Sequence, residues 1–327
     1  MNTKAGLIKK ALSSLSSHLR DCRLCPRNCG VDRIREERGF CGTAGELSLS
    51  RALLHFGEEP VLSGCEDCSA ESGGNRSGSG TLFVSGCNLK CRFCQNYQIS
   101  WNVDHSPTST ENLAGAMLDL RNLGALNINW VSPTHALIGL LRGLEEAVRR
   151  GLRLPIVYNS NGYELAPVVR RLEGIVDIYL PDIKFFSGAL SSRLTGVSDY
   201  FVHASSAVEE MYCQQPRVEY AEDGTALKGL IIRHLVLPGC VDDSLHILDW
   251  IADRLSTTVP LSIMSQYVPC FKAPDGFQRR ISGEEYLAVV RHAEKHGFEN
   301  LFLQPLPFRN GEHRNPDFEK NDPFDWD

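Results

Sequence analysis

From residue 81 onward, short apolar runs rich in β-branched residues alternate with segments in which apolar residues recur at helical spacing. The apolar runs predict strands at 81–85, 126–131, 154–158, 175–180, 229–237, 260–266 and 299–303. The helical spacing predicts helices near 111–123, 136–150, 164–172, 206–213, 242–256 and 283–296. Because continuous apolar strands separated by helices are typical of a parallel sheet buried on both faces, we predict an α/β fold. Its expected form is a partial (β/α) barrel of about six parallel βα units, with a doubly wound open sheet as the main alternative.

The residues before 81 follow a different pattern. Residues 1–20 place apolar side chains at helical spacing, which predicts a short amphipathic helix. Residues 21–60 show few regular patterns, and residues 64–80 are rich in Gly, Ser and Asn, which predicts a surface loop. We therefore expect three parts: an N-terminal helix with a cysteine-rich extension at 1–80, the partial barrel at 81–306 and a polar C-terminal tail at 307–327.

Composition and charge narrow the class of protein. The 327 residues include 34 basic and 40 acidic side chains, so the net charge is 34 − 40 = −6. This balance is ordinary for a soluble globular chain and argues against a non-specific binder of nucleic acid or anionic membranes. No apolar run approaches the roughly 20 residues that span a bilayer, and the first residues lack the apolar segment of a signal peptide. We expect a cytoplasmic protein.

The number and clustering of the cysteines are unusual for such a protein. The chain has 12 cysteines, and nine of them lie before residue 95. Structural disulfides are rare in the cytosol, so clustered cysteines at short spacings indicate metal or iron–sulfur ligands. The composition therefore predicts a metalloprotein.

The strongest signal follows the first predicted strand. Cys87, Cys91 and Cys94 form a C-x3-C-x2-C triplet in VSGCNLKCRFCQ. Loops at the carboxyl ends of barrel strands hold active sites, and three thiolates on one loop can bind three corners of a cubane cluster. The fourth iron is then open, as a catalytic metal site requires. The alternative is a zinc knuckle that uses the triplet and a distant fourth ligand.

This segment resembles the radical SAM superfamily, whose hallmark is C-x3-C-x-aromatic-C after the first barrel strand; the aromatic residue here is Phe93. The chain further resembles the pyruvate formate-lyase activating-enzyme-like proteins. The matching stretches are CRLCPRNCGVDR (22–33), HFGEEP (55–60), GSGTLFVSGCNLKCRFCQNYQIS (78–100), NINWVSPTH (127–135), LPIVYNSNGYE (154–164), GIVDIYLPDIKFF (174–186) and GLIIRHLVLPG (229–239).

The resemblance implies both cofactors and chemistry. The triplet would hold a 4Fe–4S cluster, with S-adenosylmethionine on the open iron. One-electron reduction, by a reductant such as a flavodoxin or ferredoxin, would cleave the carbon–sulfur bond to a 5′-deoxyadenosyl radical that abstracts hydrogen from the substrate. The activating-enzyme-like match implies a glycyl-radical enzyme as the partner; the alternatives are another protein or a small molecule as substrate.

Polar residues at the predicted strand ends face the same mouth as the triplet. The resemblance implies that Asp182 and Lys184, in a D-x-K element, lie near the methionine part of the cofactor. It also implies that Arg233, in R-x3-L-P-G, pairs with the cofactor carboxylate. The alternatives are a solvated turn pair for Asp182 and Lys184, and a strand-end surface residue for Arg233.

Other strand-end residues complete the predicted site. We assign Ser132 and Asn159 to cofactor binding, and we note that Ser160, Asn161, Gln266 and Tyr267 also lie at strand ends. His135 and His234 are more typical of hydrogen-bonded packing residues than of ligands. In place of the Gly-Gly-Glu that many members carry after the second strand, this chain has WVSPTH, where main-chain carbonyls near Ser132 would serve instead.

A second group of cysteines precedes the barrel. Cys22, Cys25, Cys29 and Cys41 could close a tetrahedral zinc site or hold an auxiliary iron–sulfur cluster, and the spacing leaves both open. Cys65 and Cys68 lie in the predicted loop as a thiol pair. Isolated cysteines are interpreted as small buried residues; they are Cys213, Cys240 and Cys270.

Two classes of function compete. The first is a radical SAM enzyme, in which Cys87, Cys91 and Cys94 hold the cluster. The second is a zinc-stabilised binding protein that has the barrel without the chemistry. An electron-transfer ferredoxin is disfavoured because so large a barrel is unnecessary for that task.

Overall fold

The chain forms two β-sheets flanked by helices in a computed structural model. The structure describes residues 3–64, 77–305 and 315–325. The strands are β1 Leu49–His55, β2 Gly78–Val84, β3 Ala125–Val131, β4 Ile156–Ser160, β5 Ile178–Pro181, β6 Glu219–Tyr220, β7 Ala226–Leu230, β8 Ile232–Leu235, β9 Leu261–Met264 and β10 Leu301–Leu303.

The helices flank these strands. They are α1 Lys4–Leu15, α2 Pro60–Ser63, α3 Tyr97–Ser100, α4 Thr110–Asn122, α5 Leu137–Arg149, α6 Ala166–Val169, α7 Gly188–Thr195, α8 Tyr200–Gln214, α9 Val241–Arg254 and α10 Gly283–Lys295. Short 3-10 turns lie at Ser16–Leu19, Arg33–Arg35, Pro133–Ala136 and Arg170–Leu172. No helix among the described residues is long and apolar enough to cross a membrane.

The larger sheet has seven strands in the order β1-β2-β3-β4-β5-β7-β6. Strands β2 to β5 and β7 are parallel, and antiparallel strands β1 and β6 lie at the two edges. The smaller sheet is parallel, in the order β10-β9-β8. The predicted α/β class with a mostly parallel sheet is therefore confirmed.

A single stretch of chain joins the two sheets. Strands β7 and β8 follow one another with a break at Ile231, whose N–H donates to the Tyr179 carbonyl of β5 at 2.9 Å. Beyond the break, Asp182 and Arg233 form a parallel bridge, and the Ile183 N–H donates to the Arg233 carbonyl at 2.8 Å. The run predicted as one strand at 229–237 thus serves both sheets.

Local sequence explains where several elements begin and end. Every residue of β2 and β4 is buried, as the continuous apolar runs predict for central strands. Helix α10 begins with a capping box in which Ser282 and Glu285 exchange side-chain and main-chain hydrogen bonds. Helix α7 ends at Gly196, in the left-handed conformation that a glycine adopts at little cost.

Two features differ from the sequence prediction. The expected boundary at residue 80 falls inside β2, and strand β1, which lies in the expected extension, pairs with β2 in the sheet. An edge strand such as β1 has one unpaired side, and its half-buried residues show no strong alternation. Helix α8 begins at Tyr200 rather than 206, and α7 was not predicted.

The described part of the C-terminal tail packs on the same edge of the sheet. Phe318 is buried and meets the Phe83 ring edge-on, with the ring centroids 5.2 Å apart. The Arg51 guanidinium of β1 donates to the Phe318 carbonyl at 2.7 Å. The predicted polar C-terminal tail therefore contributes an aromatic contact to the fold.

Candidate functional site

The triplet Cys87, Cys91 and Cys94 lies on the loop that leaves the buried strand β2. Cys87 and Cys91 are buried and Cys94 is half-buried. The Leu89 N–H points at the Cys87 sulphur at 3.4 Å, and the Ser100 hydroxyl lies 3.3 Å from the Cys94 sulphur. The loop turns at Gly86, which has a φ of +91°, a conformation that L side chains rarely adopt.

The three thiols are close enough to influence one another electrostatically. Burial raises the pKa of Cys94 to about 11, and the neighbouring Cys87 contributes in the same direction. Burial also raises the pKa of Cys91, whereas the Lys184 ammonium lowers it. Without a metal, Cys91 and Cys94 are neutral thiols at ordinary pH, and a bound metal would stabilise their thiolate forms.

Asp182 and Lys184 meet beside the triplet, at the end of strand β5. The Lys184 ammonium donates to the Asp182 carboxylate at 2.5 Å, and both side chains are less than a fifth exposed. Burial lowers the pKa of Lys184, but the charges of Asp182 and Cys91 outweigh burial and hold it above its ordinary value. The pair is therefore buried and faces the thiols, so it is not a solvated turn pair.

Tyr200 fixes the backbone of this region. Its hydroxyl donates toward the carbonyls of Asn161 at 2.8 Å and Asp182 at 2.9 Å, and it accepts from the Lys184 N–H at 3.1 Å. Gly162 has a φ of +82°, and a Cβ there would lie 2.2 Å from the Asp182 carbonyl oxygen. The ends of β4 and β5 consequently approach too closely for any side chain at this glycine. Tyr200 has no sequence signal that marks this role.

Asn161 connects the end of β4 to the triplet. Its side-chain nitrogen lies 3.5 Å from the Cys87 sulphur and donates to the Asn88 side-chain oxygen at 2.8 Å. Asn88 in turn donates to the Tyr163 carbonyl at 2.7 Å. These bonds hold the first part of the triplet loop against the loop that follows β4.

Ser132 and Asn159 meet through their main chains. Ser132 adopts a φ of +50°, and its N–H donates to the Asn159 carbonyl at 2.7 Å. Among the hydrogen bonds of the described residues, neither side chain reaches a triplet sulphur. The structure thus brings these two residues to each other at the strand ends.

Arg233 has two carboxylate partners within the protein, which the sequence did not predict. Its guanidinium donates to Glu59 at 2.8 and 2.5 Å and also to Glu58. All three side chains are at least 88% buried, so Arg233 is not a surface residue. Burial lowers the pKa of Arg233, but the two glutamates raise it well above its ordinary value.

Glu58 extends this network into the sheet. It accepts from the Asn129 side chain at 2.9 Å and lies 3.3 Å from the His55 ring nitrogen. Burial alone would raise the pKa of Glu58, but Arg233 and His55 hold it far below its ordinary value. The HFGEEP stretch, which contains His55, Glu58 and Glu59, was noted only as part of the family resemblance, and no role was predicted for these residues.

Glu164 is a buried carboxyl group with hydroxyl partners. Ser160 donates to it at 2.6 Å, Tyr158 at 3.3 Å, and Thr134 donates as well. Burial raises the pKa of Glu164 to about 7, although the three hydroxyl groups act in the opposite direction. This residue ties the loop after β3 to the end of β4.

The N-terminal set, Cys22, Cys25, Cys29 and Cys41, surrounds one side of Arg33. The guanidinium donates to the Cys22 sulphur at 3.2 Å and to the Cys41 sulphur at 3.4 Å. It also donates to the His135 carbonyl at 2.7 Å. Cys22 and Cys41 are buried, Cys25 is half-buried and Cys29 is exposed.

This set lies directly against the triplet loop. Arg27, between Cys25 and Cys29, donates to the carbonyls of Asn88 at 2.9 Å and Leu89 at 3.1 Å. A Cβ at Gly86 would lie 2.8 Å from the Cys41 carbonyl oxygen. The two cysteine regions are therefore neighbours, although 46 residues separate Cys41 from Cys87 (87 − 41) in sequence.

The remaining cysteines have different surroundings. Cys270 donates to the Phe93 carbonyl at 3.2 Å, Cys240 is half-buried, and Cys213 is exposed. The expectation that these three are buried therefore does not hold for Cys213. Cys65 and Cys68 lie outside the described residues.

Several histidines have structural partners. The ring of His234 bonds the Ile183 carbonyl at 2.7 Å and the Ser244 hydroxyl at 2.8 Å. His135 bonds the Ser85 carbonyl at 2.7 Å, and burial lowers its pKa to about 4. A further group on helix surfaces consists of Asp249, His292 and His296, whose ligand atoms lie within 4.8 Å of one another. Among the described residues, the sulphur atoms of neither cysteine set lie this close together.

Comparison with known proteins shows similarity in sequence to a curated protein. The uncharacterized protein MJ0674 of Methanocaldococcus jannaschii is 31% identical over 312 residues, which cover 91% of this chain and 82% of the relative. No protein-family model matches the chain.

Two similar solved structures are those of Streptococcus suis SuiB, alone and bound to the precursor peptide SuiA. They align at 14% identity with TM-scores of 0.43 and 0.46, over 68% and 67% of this chain. The aligned part spans about half of the SuiB chain, 47% and 46%. Scores at this level do not establish a shared fold.

Proposed function

The chain belongs to the family of the uncharacterized protein MJ0674 of Methanocaldococcus jannaschii, and we propose that it is a radical SAM iron–sulfur enzyme of the pyruvate formate-lyase activating-enzyme-like type. Its cofactors are a 4Fe–4S cluster on Cys87, Cys91 and Cys94 and S-adenosylmethionine. The proposal rests on the triplet, its spacing and its surroundings.

The main support for the proposal is the group of three cysteine sulphurs after strand β2. Three cysteine sulphurs from one eight-residue loop interact electrostatically in a largely buried site, with the Leu89 N–H and the Asn161 amide directed at Cys87. Thiolates are the ligands of cubane clusters, and hydrogen bonds to sulphur tune such clusters. Three protein ligands leave one iron for a small molecule. The residues present therefore fit the group.

The neighbouring residues suit a zwitterionic cofactor. When bound, the cluster and S-adenosylmethionine supply one-electron cleavage of a carbon–sulfur bond, which yields a hydrogen-abstracting 5′-deoxyadenosyl radical. Lys184 offers a cation for the cofactor carboxylate, and Asp182 holds that cation in place. Ser132 and Asn159 offer polar groups at the adjoining strand ends.

Arg233 has a positioning role in this proposal. Because Glu58 and Glu59 occupy its guanidinium, the cofactor carboxylate is assigned to Lys184 rather than to Arg233. Arg233 instead forms the parallel bridge with Asp182, and so fixes the backbone that carries the Asp182–Lys184 pair.

A partial barrel suits this chemistry. The shared stretch through β7 and β8 continues the order of strands from β5 to β9 and β10, which supports one curved sheet of parallel strands. The triplet and the Asp182–Lys184 pair then lie at the carboxyl ends of strands, where barrel active sites form. An enclosed site of this kind keeps water and oxidants from a reactive radical.

The surface residues beside the triplet loop support a protein substrate. Tyr97 and Phe271 stack with ring centroids 4.8 Å apart, and the Lys272 ammonium lies 5.1 Å from the Trp101 ring. The Lys272 N–H donates to the Arg92 carbonyl of the triplet loop at 2.9 Å. Aromatic rings on a surface are enriched at protein interfaces. We assign the glycine segment of a glycyl-radical enzyme as the substrate, in the cytoplasm, with a flavodoxin or ferredoxin as the reductant.

Anaerobic turnover tests the proposal. The reconstituted chain, mixed with S-adenosylmethionine and dithionite, is expected to release 5′-deoxyadenosine. Cys91→Ala is expected to abolish that release, whereas Cys213→Ala, a control at an exposed cysteine, leaves it unchanged. Release by the Cys91→Ala variant at the unsubstituted rate would contradict the site, and no release by the unsubstituted chain would contradict the activity.

A further inference from the structure

Arg33 is a buried cation without a carboxylate partner among the described residues. Arg33 is 5% exposed and lies in the 3-10 turn Arg33–Arg35. Within residues 3–64, 77–305 and 315–325, its guanidinium bonds go to the sulphurs of Cys22 and Cys41 and to the carbonyls of Ala44 and His135. A buried charge that no opposite charge compensates destabilises the folded state strongly.

The sulphurs are the groups that can supply the missing negative charge. Carbonyl oxygens are neutral dipoles, whereas cysteine becomes an anion when a metal replaces its proton. A tetrahedral zinc or a 4Fe–4S cluster with four cysteine thiolates has a net charge of about −2. Either centre would place that charge against the Arg33 guanidinium.

Each cysteine of the N-terminal set also faces an N–H group. Arg33 directs its Nε at Cys22 and its Nη2 at Cys41, the Phe40 N–H points at Cys29 at 3.4 Å, and the Arg27 N–H points at Cys25. N–H groups directed at sulphur are the second layer of contacts that metal-bound thiolates require. A group of unrelated buried thiols would have no reason to share this arrangement.

We infer that Cys22, Cys25, Cys29 and Cys41 bind a thiophilic metal centre as thiolates, and that Arg33 is its buried counter-charge. The centre would hold residues 20–42 against the triplet loop, because Arg27 in this segment donates to the Asn88 and Leu89 carbonyls. Zinc and an iron–sulfur cluster share the same ligand chemistry here. The inference does not depend on the proposed activity of the triplet.

Two multiple variants of the full chain separate the two sites. One replaces Cys87, Cys91 and Cys94 with alanine, and the other replaces the N-terminal set. Both are purified anaerobically, reconstituted with iron and sulfide or with zinc chloride, and assayed for bound iron and zinc. The triplet variant is expected to retain about one zinc or about four irons per chain at the N-terminal set, whereas the N-terminal variant retains only the iron of the triplet cluster.

The result also separates this inference from the proposed function. Metal in the triplet variant that depends on the N-terminal set supports the inference, and the identity of the metal distinguishes a structural clip from an iron–sulfur centre. If the triplet variant binds neither metal, the inference is wrong. If it binds as much iron as the unsubstituted chain, the cluster assignment to the triplet fails instead.

Single substitutions test Arg33 without removing a ligand. In the background of the triplet variant, Arg33→Gln is expected to weaken metal binding about 10- to 100-fold, whereas Arg33→Lys retains most of the affinity. Arg35→Gln, at an exposed position of the same turn, is the matched control and is expected to change nothing. Equal affinity of Arg33→Gln and Arg35→Gln would overturn the counter-charge role, and thermal melting of each variant checks that it is folded.

Discussion

Beside the triplet, the buried cations have carboxylate partners. Lys184 pairs with Asp182, and Arg233 pairs with Glu58 and Glu59. Beside the N-terminal set, Arg33 is buried among sulphurs and carbonyls, and in the described part of the chain no ion pair joins it to a carboxylate. Charge is thus balanced within the protein at one cysteine region and left unbalanced at the other.

The difference indicates different tasks. Under the proposed assignments, three thiolates at the triplet would leave one coordination position open, and the Asp182–Lys184 pair would lie beside a charged ligand bound there. At the N-terminal set, four thiolates would complete the coordination of a metal, and Arg33 would supply the opposing charge. The comparison therefore predicts a ligand-binding centre at the triplet and a closed centre at the N-terminal set.

The largest expected effect comes from the triplet. Cys91→Ala removes a ligand that is buried between its two partners, so the cluster should not assemble there. Anaerobic reconstitution should give iron at the N-terminal set alone or not at all, and 5′-deoxyadenosine should fall to background. Full iron content in this variant would show that the triplet is not the cluster site.

Removal of the Arg233 guanidinium, which Glu58 and Glu59 share, should have the next largest effect. Arg233→Met leaves two buried carboxylates without their partner, which is expected to lower the free energy of unfolding by about 5 kcal/mol. Anaerobic urea unfolding measures this change. Arg254→Met, in an exposed pair with Glu209, is the control and should cost less than about 1 kcal/mol.

The Asp182–Lys184 pair should show an intermediate effect. Asp182→Asn leaves a buried ammonium beside the thiols, at an expected cost of about 3–4 kcal/mol. The affinity for S-adenosylmethionine should fall as well, because Lys184 loses the partner that holds it in place. Glu219→Gln, in the exposed pair with Lys228, provides the control for unfolding. A small effect equal to that control would contradict the buried pairing.

The parts of the site that local sequence determines could be predicted, and the parts that long-range contacts determine could not. The spacing of Cys87, Cys91 and Cys94 and the position of Asp182 after a strand are local features. The partner of Arg233 lies 174 residues away at Glu59, and only the folded sheet brings the two together. The same reason explains why Tyr200 and Arg27 were missed.

The fold shows the same division. Central strands such as β2 and β4 are buried throughout, and each contains an apolar run from which it was predicted. Strand β1 was missed because an edge strand needs no continuous apolar run, and because its partner β2 begins 23 positions after β1 ends (78 − 55) in the sequence.

The smallest effect concerns Glu164, which lies near the N-terminal set. Its pKa is raised to about 7 by burial, so the folded chain holds the proton more tightly than the unfolded chain. Its contribution to the free energy of unfolding is therefore full below about pH 4.5 and falls by about 2–3 kcal/mol as pH rises toward 7.

The variant Glu164→Gln should remove that fall. Unfolding by urea at pH 5 and pH 8 measures the difference, relative to the unsubstituted chain. Glu146→Gln is the control, because neighbouring arginines lower the pKa of Glu146 to about 2, outside this range. An unchanged pH dependence in Glu164→Gln would show that the carboxyl does not titrate there.

The most direct test of the central claim is the electron paramagnetic resonance spectrum of the dithionite-reduced protein, with and without S-adenosylmethionine. The variant that lacks Cys22, Cys25, Cys29 and Cys41 isolates the triplet cluster, and its spectrum should change when S-adenosylmethionine is added. The variant that lacks Cys87, Cys91 and Cys94 should show no change, because its remaining centre is closed. A change in the second variant, or none in the first, would contradict the assignment of an open site to the triplet.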